Sequence, residues 1–304
     1  MSGKIPLTVQ DQLSLLQERN MQFRDIDAAP HFLSNISYYR LKGYWWEMQE
    51  DKVLHTFKKG SVFEDVIDLY NFDRHFRLLI FNAIERIEIS LRTKLIYHLS
   101  LSHGAEWYLK QSLFRDKKEH IKFLSKLLND MCQSSEEFMV KHYLNHPNDY
   151  PEAWKGLEVV TLGTLSKLFD NLEIQLPEKS KIANEFGLSS TRDFSSWLRT
   201  ITLIRNLIAH HSRLWNRALI IKYTWPNNLS GTVLNYIPNE DRKKKIFPIL
   251  CAMLYMNDKI SPGHSLKKEL IELIKDFPNI PPWKMGFPKE WLEQPLFSQL
   301  KPSK

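Results

Sequence analysis

SVFEDVIDLYNFDRHFRLLIFNAIERIEISLRTKLIYHLS, Ser61–Ser100, decides the fold. Val66, Leu69, Phe76, Ile80, Ala83, Ile84, Ile87, Leu91 and Leu95 step mainly by three, four or seven, which stacks them on one face of a single long helix. Ser61 and Glu64 have capping-box spacing, each side chain set to satisfy the other residue's backbone amide. His103-Gly104 ends the period, since glycine readily takes the left-handed turn that closes helices.

Outward from this helix the same signals recur. Thr8 to Asp11 is a second capping box, ahead of Leu13, Leu16 and Met21, and a short helix follows over about Asp27–Asn35. Tyr44-Trp45-Trp46 through Thr56-Phe57, aromatic and β-branched around a polar centre, reads as a small hairpin. Helices are expected over His120–Met131, Pro151–Leu172 and Pro177–Phe186, the last closed by Gly187. Asn145 to Pro151 is a loop, because two prolines interrupt the period. Ser190 to Asp193 is a third box and launches Phe194, Trp197, Leu198, Ile201, Ile204, Leu207 and Ile208 as a buried stripe. Helices over Ile246–Met256 and Ser265–Asp276 and an irregular Pro/Trp-rich tail complete the chain. The fold class is all-α: a bundle of Ser61–Ser100, His120–Met131, Pro151–Leu172 and Thr191–His211. It divides into an N-terminal appendage (1–60), a helical core (61–222) and a C-terminal helical extension (223–304).

Composition narrows the function. The 304 residues carry 43% apolar side chains and a net charge of +7, globular values with a mild lean toward a polyanion. Charge breaks every apolar run well short of the roughly 18 residues of a membrane span, and the opening Met1–Pro6 lacks the apolar stretch of a secretory signal. Two cysteines form no disulfide framework or four-thiolate zinc site, so a cytoplasmic setting is expected. Among only ten glycines there is no GxxxxGK[ST], GxGxxG or GxSxG, which removes P-loop, dinucleotide and nucleophile-elbow chemistries. No cofactor or metal is expected.

Chemistry concentrates in Arg205-Asn206-x3-His210. Metal-free RNA cleavage needs a base for the ribose 2′-OH, an acid for the leaving 5′ oxygen and positive charge for the phosphate. Histidine serves as base or acid near neutrality, and arginine offers a permanently charged fork for phosphate oxygens. Asn206 and His210, four apart, share a helix face, so the amide can orient the imidazole. Spacing alone is weak: 14 arginines and 11 histidines give roughly 0.5 chance matches at any one spacing, and Arg115–His120 is a second match. That pair sits in a charged stretch and reads as solvated surface, whereas Arg205–His210 lies on an apolar helix that would hold it rigidly. The competing reading is a helix C-terminus that favours His210 and His211 through the macrodipole.

Several stretches in series resemble the Abi family of bacterial abortive-infection proteins, of the AbiD/AbiF type. They are Leu33–Tyr44 (LSNISYYRLKGY), Phe63–Arg74 (FEDVIDLYNFDR), Ala83–Glu88 (AIERIE), Gly163–Leu168 (GTLSKL), Arg205–Arg217 (RNLIAHHSRLWNR) and Met285–Trp291 (MGFPKEW). This family is similar to the HEPN superfamily, whose R-x4-6-H motif marks metal-independent ribonucleases that work as dimers. The resemblance implies a HEPN-type bundle and an endoribonuclease with Arg205 and His210 as the catalytic pair and Asn206 in the polar position after the arginine. It also implies an RNA substrate and a small-RNA or protein antitoxin as partner. A homodimer would bring two such pairs to one cleft; His211, diverging by about 100° on a helix, is the rival second group. The alternative of another class is a non-catalytic RNA-binding protein assembling with a small RNA or partner protein.

Other residues carry weaker signals. Glu85, Glu88 and Arg92, beside Arg86, either line the cleft or form an intrahelical ion-pair ladder. Arg213 and Arg217 are candidate phosphate contacts. Tyr38-Tyr39-Arg40, Lys42 and Tyr44-Trp45-Trp46 interleave base and aromatic, either as a stacking platform or as the anchor of an appendage. His142-x3-His146 lacks a third metal ligand, and Arg242–Lys245 reads as a solvated helix start.

Overall fold

The structure, a computed structural model, describes residues 5–300; the opening Met1–Lys4 of the signal reading lies outside them. Residues up to Leu78, with Glu272–Ile280, form one compact unit. It holds α1 (Val9–Glu18), α2 (Ala29–Ile36), α3 (Tyr38–Trp45), an antiparallel hairpin of β1 (Gln49–Asp51) and β2 (Thr56–Phe57), and the start of α4 (Phe63–His103). The capping box on α1 closes as expected: Thr8 Oγ1 accepts from the Asp11 amide and Asp11 Oδ2 from the Thr8 amide, both at 3.1 Å.

The box expected at Ser61 does not close. Glu64 instead accepts from the amides of Arg24 and Asp25, each at 3.0 Å. Burial pushes its pKa up, but these amides more than offset that and hold it below the usual carboxylate range. The hairpin is also shorter than the aromatic run suggested. Tyr44 and Trp45 belong to α3, whose N-cap Ser37 accepts from the Arg40 amide, and they are buried beside Leu41. Tyr44 donates to Asp73 at 2.8 Å, with an Arg77 nitrogen 3.5 Å from the same carboxylate oxygen, so this interior polar cluster is paired.

Leu79–Ile271 and the chain from Pro281 make the second unit. Beyond the remainder of α4 it contains α5 (Lys117–Cys132), α6 (Glu137–Asn145), α7 (Ala153–Gly156), α8 (Leu162–Asn171), α9 (Pro177–Glu185), α10 (Thr191–Ala209), α11 (Glu240–Lys243), α12 (Ile246–Ile260) and most of α13 (Leu266–Asp276). The molecule is thus mostly helical with one small hairpin, the expected class. Among the described residues no helix is long and apolar enough to cross a membrane.

The expected Pro151–Leu172 helix is two helices. After α7 the chain tightens into a 3₁₀ turn and extends at Val160, and Thr161 then caps α8 by accepting from the Thr164 amide. Gly156, where a Cβ would stand 1.8 Å from Met131 Cε, lets α5 approach at that break. All but the last turn of α12 is enclosed on all sides: every residue from Ile246 to Asn257 is buried, while Lys259 is exposed. Its polar member, Asn257, donates to the carbonyls of Ala83 and Met253 at 3.1 and 2.9 Å.

Gly187 closes α9 as expected, with φ +87°, and a Cβ there would lie 2.6 Å from the Tyr255 hydroxyl, which itself donates to the Gly187 carbonyl. Gly187→Ala therefore combines a left-handed alanine with a clash, and urea unfolding should show a loss of about 2–3 kcal/mol. Lys179 of α9 is buried and donates to the carbonyls of Asp170 and Leu172 at 3.0 and 2.6 Å, at the C-terminal end of α8. Burial pushes its pKa from 10.5 down to about 8. Between these values the unfolded chain holds more protons than the folded one, so this group makes stability rise with pH through that window. Unfolding of the wild type and Lys179→Met across pH 7 to 11 should show the wild type gaining on the variant above pH 8.

Candidate functional site

The Arg205–His210 segment is positioned by the way α10 leaves the core. Ser190 caps the helix by accepting from the Asp193 amide at 3.2 Å, while the Asp193 carboxylate accepts from the Thr224 hydroxyl instead of completing a box. Phe194 to Leu198 are buried without exception. Trp197 Nε1 donates to the Thr224 carbonyl at 2.8 Å, fixing this end. Farther along, the buried set thins to Thr200, Ile201, Ile204 and Ile208, and each of the three isoleucine side chains contributes roughly 2 kcal/mol on burial. Arg205 is consequently half-buried at the shoulder, and Asn206 and His210 are exposed.

α10 ends at Ala209, two residues before the expected His211. His210 is the C-cap, with φ −88° and ψ 13°. The His211 amide then donates to the Ile208 carbonyl and the Ser212 amide to the Leu207 carbonyl, both at 2.8 Å. That pair of bonds is a Schellman closure, and it places His211 in the left-handed region at φ +53°, a position usually held by glycine. The 100° divergence of successive helical residues therefore does not describe His210 and His211. The expected Asn206–His210 contact is made by the backbone, His210 N to Asn206 O at 3.0 Å, with no side-chain hydrogen bond between the two among the described residues.

The Arg205 Nε is shielded from solvent and has no hydrogen-bond partner among the described residues. A guanidinium nitrogen held this way is costly unless something else meets it, and an anion is what its charge and fork suit. Beyond the turn, Leu214 and Trp215 are buried and pin the following segment. Arg213 lies over the Trp215 ring, 5.9 Å from its centroid, and Arg217 donates to the Arg213 carbonyl at 3.4 Å, both half-buried.

The family model described as Abi-like protein matches residues 31–216, a stretch that includes Arg205, His210 and the closing turn. The chain belongs to the Abi-like protein family. No curated protein and no solved structure gives a significant match.

In this Abi-like protein the remaining candidates fall away from the Arg205–His210 end. Arg86 is committed to Asn82 Oδ1 at 3.1 Å and Ser261 Oγ at 2.8 Å. Arg92 pairs with Glu88 at 3.2 Å and donates to the Val160 carbonyl at 2.9 Å, which is the ladder reading extended to the start of α8. Glu85 is exposed on an open groove of about 300 Å³ with Phe81, Ile84 and Ile89. None of these shares a hydrogen bond or ion pair with Arg205 or His210 among the described residues.

Two surface readings are corrected, and His142, read only as half of an incomplete metal spacing, is placed. His120 is buried, stacked 3.9 Å from the Phe114 ring with Nε2 2.7 Å from the Tyr108 carbonyl, so Arg115–His120 is no solvated pair. His142 is likewise buried, with Nε2 3.2 Å from the Asp149 carbonyl. In the basic run, Lys243 reaches the Tyr223 carbonyl at 3.1 Å and Lys245 reaches Asn216 Oδ1 at 2.8 Å, so half of it clamps the chain behind α10. Charge patterning missed this role, because aliphatic stems hide ammonium groups inside a fold as readily as on it.

The left-handed C′ residue makes a direct test of the closure. His211→Val should be less stable than His211→Gly by about 1–2 kcal/mol, read from paired thermal or urea unfolding, because a β-branched residue resists this φ.

Proposed function

We propose that this Abi-like protein is a metal-independent endoribonuclease of HEPN type, allied to the AbiD/AbiF proteins and acting in abortive phage infection as a cytoplasmic homodimer. The observation that carries the reading is the exposed His210 at the end of α10, five residues after an arginine whose sheltered Nε lacks a partner. Two chemically complementary groups, a proton carrier and an anion binder, thus emerge from one rigid helix end.

In the proposed reaction Arg205 binds the scissile phosphate. One His210 removes the proton of the 2′-OH, whose oxygen bonds to phosphorus. The P–O5′ bond breaks, and the His210 of a second copy gives its proton to the departing oxygen. Products are a 2′,3′-cyclic phosphate and a 5′-hydroxyl, with no net change in protons. Arg213 and Arg217, just past the turn, add phosphate contacts that position RNA without reading its sequence. Asn206 and His211 flank the pair in supporting positions, and a small-RNA or protein antitoxin holds the activity in check until infection.

Single-stranded RNA incubated with the protein in excess chelator should be cut, and DNA of the same sequence should survive for want of a 2′-OH. His210→Ala should slow cleavage by about 10²–10⁴-fold and Arg205→Ala by about 10²–10³-fold. Undiminished cleavage by His210→Ala would place the chemistry elsewhere. A wild type that binds RNA without ever cutting it would mark an assembly protein.

A further inference from the structure

Helix α3 turns two kinds of face outward and inward. Leu41, Tyr44 and Trp45 are buried, which settles that the basic-aromatic run anchors its unit. The same helical geometry leaves Tyr39, Lys42, Gly43 and Trp46 on the opposite side, at spacings of three, one and three. Tyr39 is 85% exposed and Trp46 40% exposed, unusual values for side chains this large. Lys52, from the turn of the hairpin, sits with its ammonium 5.2 Å from the Trp46 ring centroid. Between the two rings the surface is open, since a Cβ on Gly43 would meet nothing within 4 Å.

Charge favours a polyanion here. Residues 39–59 carry Arg40, Lys42, Lys52, Lys58 and Lys59 against Glu47, Glu50 and Asp51, with the Lys58 ammonium donating to the Glu47 carbonyl at 2.9 Å. Of those acids, the Asp51 carboxylate already accepts from the amides of Val53 and Leu54 at 2.6 and 2.9 Å. Trp46 opens the 3₁₀ turn that continues from α3, and a helical rise over seven residues sets it about 10 Å along the axis from Tyr39, roughly three stacked nucleotide steps of about 3.4 Å.

We infer that Tyr39, Lys42 and Trp46 form a stacking platform for a single-stranded polynucleotide, separate from the groups assigned to cleavage. The two rings take the faces of bases in one strand, and Lys42 and Lys52 meet the phosphates between them. That the strand is RNA rests on the nuclease reading; the platform itself reads no 2′-OH.

Fluorescence anisotropy with labelled oligouridylate and oligothymidylate tests this on the full chain in a His210→Ala background, where RNA stays intact. Tyr39→Ala and Trp46→Ala should each weaken binding by about five- to 150-fold. Lys42→Ala should lower the slope of log affinity against log salt by about 0.7. Gly43→Glu, which puts a negative charge on an unobstructed face, should weaken binding at least fivefold with the melting temperature kept. Both oligonucleotides should bind alike. Unchanged binding by the Tyr39, Trp46 and Gly43 variants overturns the platform, as does a parent that retains neither oligonucleotide or a strict demand for ribose. Cleavage by the chain with intact His210 is read separately. Its absence alongside platform-dependent binding defeats only the nuclease reading, and its presence alongside indifferent variants defeats only the platform.

Discussion

Burial of one face of α10 is the constraint on which the rest of the candidate site depends. The helix is enclosed on all sides at its beginning and on one side at its end, so its C-terminal turn is delivered to the surface by packing far from it. Position and exposure of Arg205 and His210 follow from where Ile201, Ile204 and Ile208 must go. The turn is then sealed by backbone hydrogen bonds, with a histidine accepting the strained left-handed position. Rigidity at the base and access at the tip come from the same helix.

In both units, several polar groups are committed to tertiary partners rather than local ones. Glu64 and Asp193 stand where a local cap was expected, yet each spends its carboxylate on a distant segment. Lys179 closes the carbonyl end of α8, and Lys243 and Lys245 tie down the chain behind α10. Each such contact joins elements that hydrophobic packing alone would leave free to slide, because a buried polar atom tolerates few alternative registers.

What could be read from sequence divides along the same line. The long helix, α9 with its glycine closure, α10 and α12 were legible because apolar period and glycine position are local properties. The break at Val160–Thr161 was not, because residues on both sides carry helical periodicity, which masks the Thr161 cap that starts α8. α6 was hidden by weak amphipathic contrast. Arg205 and His210 were legible as types at a spacing, but the C-cap geometry that exposes His210 and turns His211 depends on main-chain bonding that no side-chain pattern records. His120 misled for a related reason: charged neighbours in sequence say little about a ring that a carbonyl and an aromatic face enclose.

The enclosure of Ile246–Asn257 within α12 has a bearing on how the chain is made. An unbroken apolar helix is a hazard while it is uncovered, since it adheres to whatever hydrophobic surface it meets first. Ile246–Ile260 leaves the ribosome only after the segments bearing Ala83, Gly187 and α10 have already emerged. The part of its receptacle that lies earlier in the chain is therefore synthesised before it, and Phe287, whose ring centroid stands 4.4 Å from that of Phe247, closes over it afterwards.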